Sequence, residues 1–541
     1  MKWATMEDVK PENQEQKIRA IAKKVKKRIA EVAVEYPDLV KTNGHLPIPF
    51  TEKCMSTYEL GDGLLYASVL RDRFLYNASA AAWMRWTGHT WGIDIMEENL
   101  SAVESVVDKL LDVTGRINDE MQKAISDKNE SRKEQYSRLR DRIYSRIARY
   151  RTDKGRTMMI KFARTCRDPL AIKGDELDRR PWLLPCANAV VNLKTGESRD
   201  GRREDMLFLS SPTEWKGLNE PAPVFEAWLK EVLSDDEDLV TFVQRFLGYA
   251  ITGLTYEHIL AVLWGGGRNG KGTLVELIGH VLGPLAGPIQ AEMLLDQGKS
   301  RSSAGPSPDI MGLRGLRIAF ASETDENRRF SPARVKWLTG GDTLVGRHPH
   351  DKYEVRFEPT HTLILMTNHK PSAPDTDFAF WERVRLVPFK LAFVDREPSA
   401  ANERRAKKGM VDVLKKEAPG ILAWLVRGCL AYQDHGLNPP IAVTEATADW
   451  RKAENELLDF IEDYCNRDEM AKIKATLLYE NFNRWFKANR SPKGVSQTMF
   501  GRIMNKRFEK KKMDGLIFYV GIELVKEVPD FESEKDEPSM F

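Results

Sequence analysis

A chain of 541 residues is too long for one ordinary hydrophobic core, and its length suggests about three or four domains. Hydrophobic residues make up 42% and charged residues 30%, a soluble globular balance, and a formal net charge of +3 is too close to neutral to announce a nucleic-acid partner without local patches. Cys54, Cys166, Cys186, Cys429 and Cys465 are odd in number, scattered and without a CxxC pair, which argues for a reducing compartment and against a zinc ribbon. The opening MKWATMEDVKPENQEQ lacks a signal-peptide core, and no apolar stretch approaches about 18 residues, so the protein is read as cytoplasmic with no membrane span.

Residues 13–35 carry Ile18, Ile21, Val25 and Ile29 at helical spacing, with Lys23, Lys24, Lys26, Lys27 and Arg28 around them. The basic face is either simply solvated or a docking arm for nucleic acid or a partner. Residues 55–115 hold Trp83, Trp86 and Trp91 and a turn at Gly88, a small packed unit whose tryptophans read as core. From Ser101 to about Arg167 the composition is helical and charged, a collar-like region with a basic face. Residues 179–215 break into short runs with a turn at Lys194-Thr195-Gly196, a small β-rich element. Phe225 to Thr252 is helical again, and its acidic cluster Asp235, Asp236, Glu237 and Asp238 suits a solvated helix N-terminus better than a metal site.

The stretch ILAVLWGGGRNGKGT, Ile259 to Thr273, is the layout of a phosphate-binding loop. Its apolar run suits a parallel strand buried on both faces, and the glycines let successive backbone N–H groups face phosphate oxygens. Gly265, Gly267, Asn269 and Gly270 form the loop, Lys271 reaches the β- and γ-phosphates of ATP, and Leu274 to Leu282 continue as a helix stopped at Gly283-Pro284. The hydroxyl residue that usually follows the lysine and binds Mg²⁺ is replaced by Gly272, with Thr273 one place later. Either the loop shifts to use Thr273 on the metal, or water fills that position.

Leu316 to Ser322 reads as a second strand delivering Glu323, with Asp325 and Glu326 behind it, where a metal-binding or water-polarising carboxylate is needed. A short helix, PARVKWLTGGD, follows. A third strand, His361 to Thr367, delivers Asn368, an amide able to orient water or sense the γ-phosphate. Glu382 to Phe389 alternates and places Arg383 and Arg385 on one face.

The series GGGRNGKGT, FASETDE, VKWLTGGDTLVGR, LILMTNHKP and FWERVRLVPF resembles the superfamily III helicases, in the branch of phage and plasmid primase-helicases and the poxvirus primase-helicase. The resemblance covers residues 258–392 and extends weakly upstream to about residue 60 through RPWLLPCANAVVNLKTG and FLGYAITG. It implies a homo-oligomeric AAA+-like ring, a hexamer, that moves along single-stranded and forked DNA by hydrolysing ATP with Mg²⁺. In it Lys271 is the phosphate lysine, Glu323 the metal-binding or catalytic acid with Glu326 sharing its role, and Asn368 the sensor. Arg383, with Arg385 as second candidate, is the arginine finger completing a neighbour's site. Between the second and third strands, residues 343–347 and 353–357 read as a hairpin; in related helicases a hairpin here enters the channel, which would make His350 and Lys352 grip DNA phosphates. Many relatives carry a polymerising domain, but the first 220 residues show neither its aspartate pair with a histidine nor a zinc motif, so a helicase served by a separate primase or replisome proteins is expected.

Residues 393–440 read as helical. Three further helical segments and DGLIFYVGIELV, a hairpin wing, then suggest a winged helix, similar to the C-terminal extension of the same phage branch. Its third helix is expected to hold Arg502, Lys506, Arg507, Lys510, Lys511 and Lys512 against Glu509, a charge that suits DNA phosphates. The end, EVPDFESEKDEPSMF, reads as an acidic disordered tail, either solubilising or, like the similar tip of bacterial single-stranded-DNA-binding proteins, a partner-docking segment.

The fold class expected is multidomain α/β: a helical N-terminal region, an AAA+-like P-loop ATPase core with a parallel sheet, and a C-terminal winged helix. The boundaries are 1–115 (helical and Trp-rich), 116–222 (collar and β-rich element), 223–392 (ATPase core), 393–440 (helical connector), 441–526 (winged helix) and 527–541 (tail). Three activities compete: an ATP-driven DNA-unwinding motor, an ATP-switched origin-binding protein without processive unwinding, and a small-molecule P-loop kinase, which would have no use for Arg383 or the hairpin.

Overall fold

The computed structural model describes residues 45–297, 306–322, 328–347, 349, 354–374, 377–454, 456–468, 470–489, 494–505, 507–513 and 515–529. The expected helix at 13–35, together with Glu323, Glu326, His350, Lys352 and Lys506, lies outside the described residues. Two compact units divide the chain: Met1–Arg179 with Arg202–Phe208, and Arg180–Gly201 with Leu209–Phe541. Among the described residues no helix is long and apolar enough to cross a membrane.

The first unit packs helices α1 (Ile48–Ser56) and α2 (Tyr58–Leu70) with a sheet of order β3-β2-β1-β4, formed by β1 (Phe74–Asn77), β2 (Ala82–Trp86), β3 (Trp91–Ile93) and β4 (Ala171–Ile172). Helices α3 (Val103–Ser126), α4 (Glu130–Tyr150) and α5 (Asp153–Ala163) lie between β3 and β4. On α3 the residues Val103, Val106, Val107, Leu110, Val113 and Ile117 recur at helical spacing, and their stripe joins Leu139, Ile143 and Ile147 of α4 in one core. Asn129 and Thr152 cap α4 and α5 with their side-chain oxygens. A buried carboxylate, Asp62, accepts from Arg146 and from the Tyr150 hydroxyl, both at 2.6 Å, which satisfies a charge that burial otherwise penalises. Trp91 is buried, and Trp83 and Trp86 half-buried. The expected boundary after residue 115 falls inside α3, because the apolar stripe runs unbroken across it.

The second unit opens with a small antiparallel sheet of β5 (Leu183–Pro185), β6 (Val190–Asn192) and β7 (Ser198–Arg199), which belongs with the main parallel-sheet core and not with the expected collar. Arg317, 4% exposed, ties it to that core by donating to the carbonyls of Pro181 and Leu183 as well as Ile251. The helical stretch expected at 225–252 is two helices, α6 (Pro223–Val232) and α7 (Glu237–Ala250), and the acidic cluster stands at the N-terminus of the second, as expected. Ser234 and Asp235 between them take positive φ, and Asp236 caps α7 by accepting from Leu239 N–H.

The main sheet is parallel, in the order β14-β8-β13-β10-β9, from β8 (Leu260–Trp264), β9 (Ala286–Ile289), β10 (Ile318–Ser322), β13 (Thr362–Thr367) and β14 (Val384–Pro388). Both faces are covered, so its central strands are continuous apolar runs. Helix α8 (Lys271–Leu282) follows β8, and α9 (Pro332–Thr339) follows β10. An antiparallel pair, β11 (Leu344–Gly346) and β12 (Val355–Phe357), forms the base of the expected hairpin.

Residues 393–440 are not helical throughout. They begin with a parallel pair, β15 (Ala392–Val394) and β16 (Glu403–Arg405), and continue to α10 (Ala418–His435), which packs on α7 and sets Trp424 edge-on to Phe225 of α6 at 5.2 Å. Nor does α11 (Ile441–Ala453) belong with the C-terminal module: β14 is an edge strand that needs cover, and α11 supplies it. Thr447 Oγ1 accepts from Leu386 N–H at 3.0 Å, and Trp450 joins Trp381 and Phe330.

The C-terminal module runs α12 (Glu456–Tyr464), β17 (Cys465–Asn466), β18 (Lys472–Lys474), α13 (Ala475–Asn489), α14 (Gln497–Met504), β19 (Glu509–Met513), β20 (Leu516–Val520) and β21 (Glu523–Leu524). The sheet order is β18-β20-β19, with β17 and β21 paired separately. Lys510, Lys511 and Lys512 therefore lie on a strand, not on the third helix as expected, because pairing with the β-branched and aromatic run Ile517-Phe518-Tyr519 overrides a lysine-rich helical pattern. The expected tail also starts too early. Val528 is 1% exposed in the module's core, and its N–H donates to Asn481 at 2.9 Å.

Candidate nucleotide-binding site

The loop leaves the C-terminal end of β8, and both neighbouring strands brace it. Gly265 N–H donates to Thr367 O at the end of β13, and Phe389 N–H, just past β14, donates to Trp264 O at 2.7 Å. A Cβ on Gly265 would stand 2.2 Å from Phe389 O and 2.4 Å from Asn269 Nδ2, so only glycine fits. Asn269, 3% exposed, holds the loop from inside by donating to Phe389 O at 3.4 Å. Arg268 and Gly270 take φ of +54° and +88°, which turns the chain into α8. Gly266 and Gly267 have open space where a side chain would stand. Backbone N–H groups at the start of α8 lack intrahelical acceptors, which suits them to phosphate oxygens.

Lys271 is the first residue of α8 and only 6% exposed. Its ammonium donates to Gly265 O at 2.5 Å and to Asn368 Oδ1 at 3.1 Å. Lys271 and Asn368, 97 positions apart, thus converge at the ends of adjacent strands. Trp264, the last residue of β8, donates its indole N–H to Asn368 O at 3.1 Å, and the Lys370 ammonium sits 4.1 Å from the Trp264 ring centroid. Burial lowers the Lys370 pKa, and Asp449 and Glu454 of the α11 region pull it back up.

A cavity of about 330 Å³ adjoins the loop, with Trp228, Phe393 and Met410 as apolar walls and Glu231, Arg405 and Lys407 as charged ones. Thr273 lines it too, whereas Gly272 is exposed with open space around it. Arg268 closes one side through an ion pair with Asp395 at 2.5 Å and by accepting Phe393 N–H on its carbonyl at 2.7 Å.

This donor set fits a nucleoside triphosphate: a glycine cradle that a Cβ would fill, a buried ammonium and an aromatic-walled cavity of base size beside it. A metal fits less completely. Gly272 has no hydroxyl, Thr273 lines the cavity, and among the described residues no group of three or more His, Cys, Asp or Glu could hold an ion.

The arginines stand elsewhere. Because β14 runs parallel to β8 with Val384 beside Leu260 and Pro388 beside Trp264, Arg383 lies at the opposite end of the sheet from Lys271, roughly 13 Å of strand away. Its Nη1 donates to Ala379 O at 2.5 Å, and its Nε is buried without a hydrogen-bond partner. Arg385 folds back onto Glu382 O and Val384 O, and burial lowers its pKa. Arg507 sits in the turn after α14; the Arg502 backbone is in α14, and its side chain lies outside the described residues. Sequence reasoning missed Trp264, Trp228 and Phe393. For Trp264 a signal existed, an aromatic with a polar N–H ending an otherwise aliphatic strand at the loop's first glycine.

A family model described as "D5 N terminal like" matches residues 64–234. The chain is 29% identical over 329 residues to "Putative helicase L207/L206" of Acanthamoeba polyphaga mimivirus, covering 58% of this chain and 34% of that protein. It is 28% identical to "Putative helicase 022R" of Frog virus 3 (isolate Goorha), over 58% of this chain and 33% of that one. "Putative primase C962R" of African swine fever virus (isolate Tick/Malawi/Lil 20-1/1983) is 23% identical over 42% of this chain and 24% of its own length. The chain spans about a third of the length of the two helicase relatives and a quarter of the primase. Among solved structures, the apo structure of the NrS-1 C terminal region covers 64% of this chain and 100% of that chain at 12% identity, with a TM-score of 0.34 that carries no argument. The D5 N-terminal-like segment and the similarity to viral putative helicases and a putative primase support the resemblance to superfamily III-type proteins of the primase-helicase kind.

Proposed function

We propose that this chain is an ATP-dependent DNA helicase, the replicative motor of a virus, phage or mobile element, working as a hexameric ring on single-stranded DNA. The observation that carries the reading is the Lys271–Asn368 hydrogen bond at the mouth of the loop. It supports a site in which one side chain binds the terminal phosphates and another, on the neighbouring strand, registers their presence. ATP lays its phosphates along Gly265 to Lys271 and its base in the cavity of Trp228 and Phe393. Mg²⁺, when bound with the nucleotide, neutralises phosphate charge, with Thr273 and Glu323 as its proposed protein partners.

The finger role of Arg383 requires a neighbour. It is too far from Lys271 along the sheet to serve its own chain's phosphates, which supports action in trans across a ring interface. The helix, strand, strand, helix, helix, strand, strand order of residues 456–520 with sheet order β18-β20-β19 supports the winged-helix reading of the C-terminal module. A relative named as a primase leaves priming open, and our reading assigns that activity to a separate protein or to sequence outside the described site.

The test is ATP hydrolysis by the full chain with and without single-stranded DNA, beside strand displacement and the mass of the assembly. DNA-stimulated hydrolysis and unwinding, both lost in Lys271→Ala, are expected. Duplex-site binding with neither ring nor unwinding would favour the origin-binding alternative.

A further inference from the structure

The C-terminal sheet has one face in the module's core and one in solvent, and side-chain alternation sorts its residues. On β18, Ile473 is buried while Lys472 and Lys474 are exposed. On β20, Tyr519 is buried beside Ile473, and Phe518 is half-exposed beside Lys474. On β19, Lys511 pairs with Phe518 from the other side. Lys474, Phe518 and Lys511 therefore form one row across the three strands on the outer face, with Lys472, Val520 and Glu509 as the next row. Strand spacing puts the two lysine stems roughly 10 Å apart with the aromatic ring between them. Glu509 pairs with Lys511 at 3.2 Å, but with side chains 65% and 51% exposed that pair is easily exchanged for a stronger anion.

A cation, an aromatic face and a second cation in one exposed row suit a chain of alternating phosphates and bases. We propose that this outer sheet face is a seat for single-stranded DNA, in which Lys472, Lys474 and Lys511 take phosphates and Phe518 stacks on a base. The aromatic decides for a single strand, because bases in a duplex are already stacked on each other and offer their faces to nothing else. The seat is built from residues other than Arg502, Lys506, Arg507, His350 and Lys352. It rests on the DNA-helicase reading.

The experiment uses the full chain without nucleotide and measures binding of labelled oligo-dT and of a duplex of equal length across a salt series. Lys474→Glu with Lys511→Glu should weaken oligo-dT binding about tenfold or more and flatten its salt slope by about 1.4, since two phosphates would no longer be neutralised. Phe518→Leu keeps an apolar side chain on β20 but removes the π-face; it should weaken oligo-dT about tenfold, leave duplex binding unchanged, and be rescued by Phe518→Tyr. Hydrolysis without DNA should be unaltered in all three. Wild-type binding of oligo-dT that none of these variants changes overturns this seat while leaving the helicase reading intact. Loss of duplex and oligo-dT binding alike through the lysines, with Phe518→Leu silent, overturns it in favour of duplex phosphates. A wild-type protein that binds no DNA removes the helicase reading and the seat together.

Discussion

The indole N–H of Trp264 holds the backbone carbonyl of Asn368 at 3.1 Å. Since the same asparagine accepts from Lys271 through its side chain, Trp264 positions Asn368, the proposed sensor. Trp264→Phe keeps a ring for Lys370 to rest on and removes only the donor. Losing one hydrogen bond of about 1 kcal/mol should lower kcat about fivefold with little change in KM. A rise in KM at unchanged kcat would place Trp264 in nucleotide binding instead.

The position of Arg383 predicts complementation. If Lys271 and Arg383 act from different subunits, Lys271→Ala and Arg383→Ala proteins are each inactive, but in a random equal mixture about one interface in four unites an intact lysine with an intact arginine. The mixture should recover about a quarter of the wild-type hydrolysis rate. No recovery after verified subunit exchange would mean that the finger is another residue, with Arg385 next in line.

The parallel sheet was legible because its strands are buried on both faces: LAVLW and TLILMT are unbroken apolar runs that lead into the candidate site. The fate of Lys510 to Lys512 was not legible, because their strand exists only through its pairing with Phe518 and Tyr519, a tertiary fact. Likewise nothing local says that α11 covers β14; Trp450 and Thr447 look like ordinary helix residues until Trp381 and Leu386 meet them. The cavity wall was hidden for the same reason, since Trp228 and Phe393 come from segments 165 positions apart (393 − 228). At the site itself Lys271 and Asn368 were readable one by one, and only folding joins them.

Gly272 and Thr273 separate two ways of holding the metal. Thr273 lines the cavity beside Trp228, and as a partner of Mg²⁺ its loss in Thr273→Ala should raise severalfold the Mg²⁺ concentration needed for half-maximal hydrolysis; a mild change in nucleotide affinity alone would mean that water holds that position on the metal. Gly272 has open space at its Cβ position and lies within a helix, so Gly272→Ser should fold and, by restoring the usual hydroxyl, lower the Mg²⁺ concentration for half-maximal binding of a fluorescent nucleotide. A near-total loss of hydrolysis in Thr273→Ala would show that the hydroxyl has moved one place along.

His361 sets a pH limit on the stability of the parallel-sheet core. It precedes β13, is 2% exposed, and its Nε2 faces Leu338 O at 3.1 Å while its Nδ1 is buried without a hydrogen-bond partner. Burial lowers its pKa from 6.5 to about 4. The folded protein therefore binds this proton less readily than the unfolded chain. Above pH 6.5 the ring is neutral in both states and its contribution is complete; as pH falls from 6.5 to about 4 the unfolded chain gains a proton that the folded one refuses, and stability falls. The full loss is about 3 kcal/mol at roughly 1.4 kcal/mol per pKa unit. His361→Gln cannot take up that proton. Urea unfolding of the wild type and the variant, followed from pH 7.5 to 4, should show the wild type losing about 3 kcal/mol more over this range than His361→Gln. Parallel pH dependence in the two proteins would mean that His361 becomes protonated without unfolding, its Nδ1 reaching water or an acceptor that the packing against Leu338 does not provide.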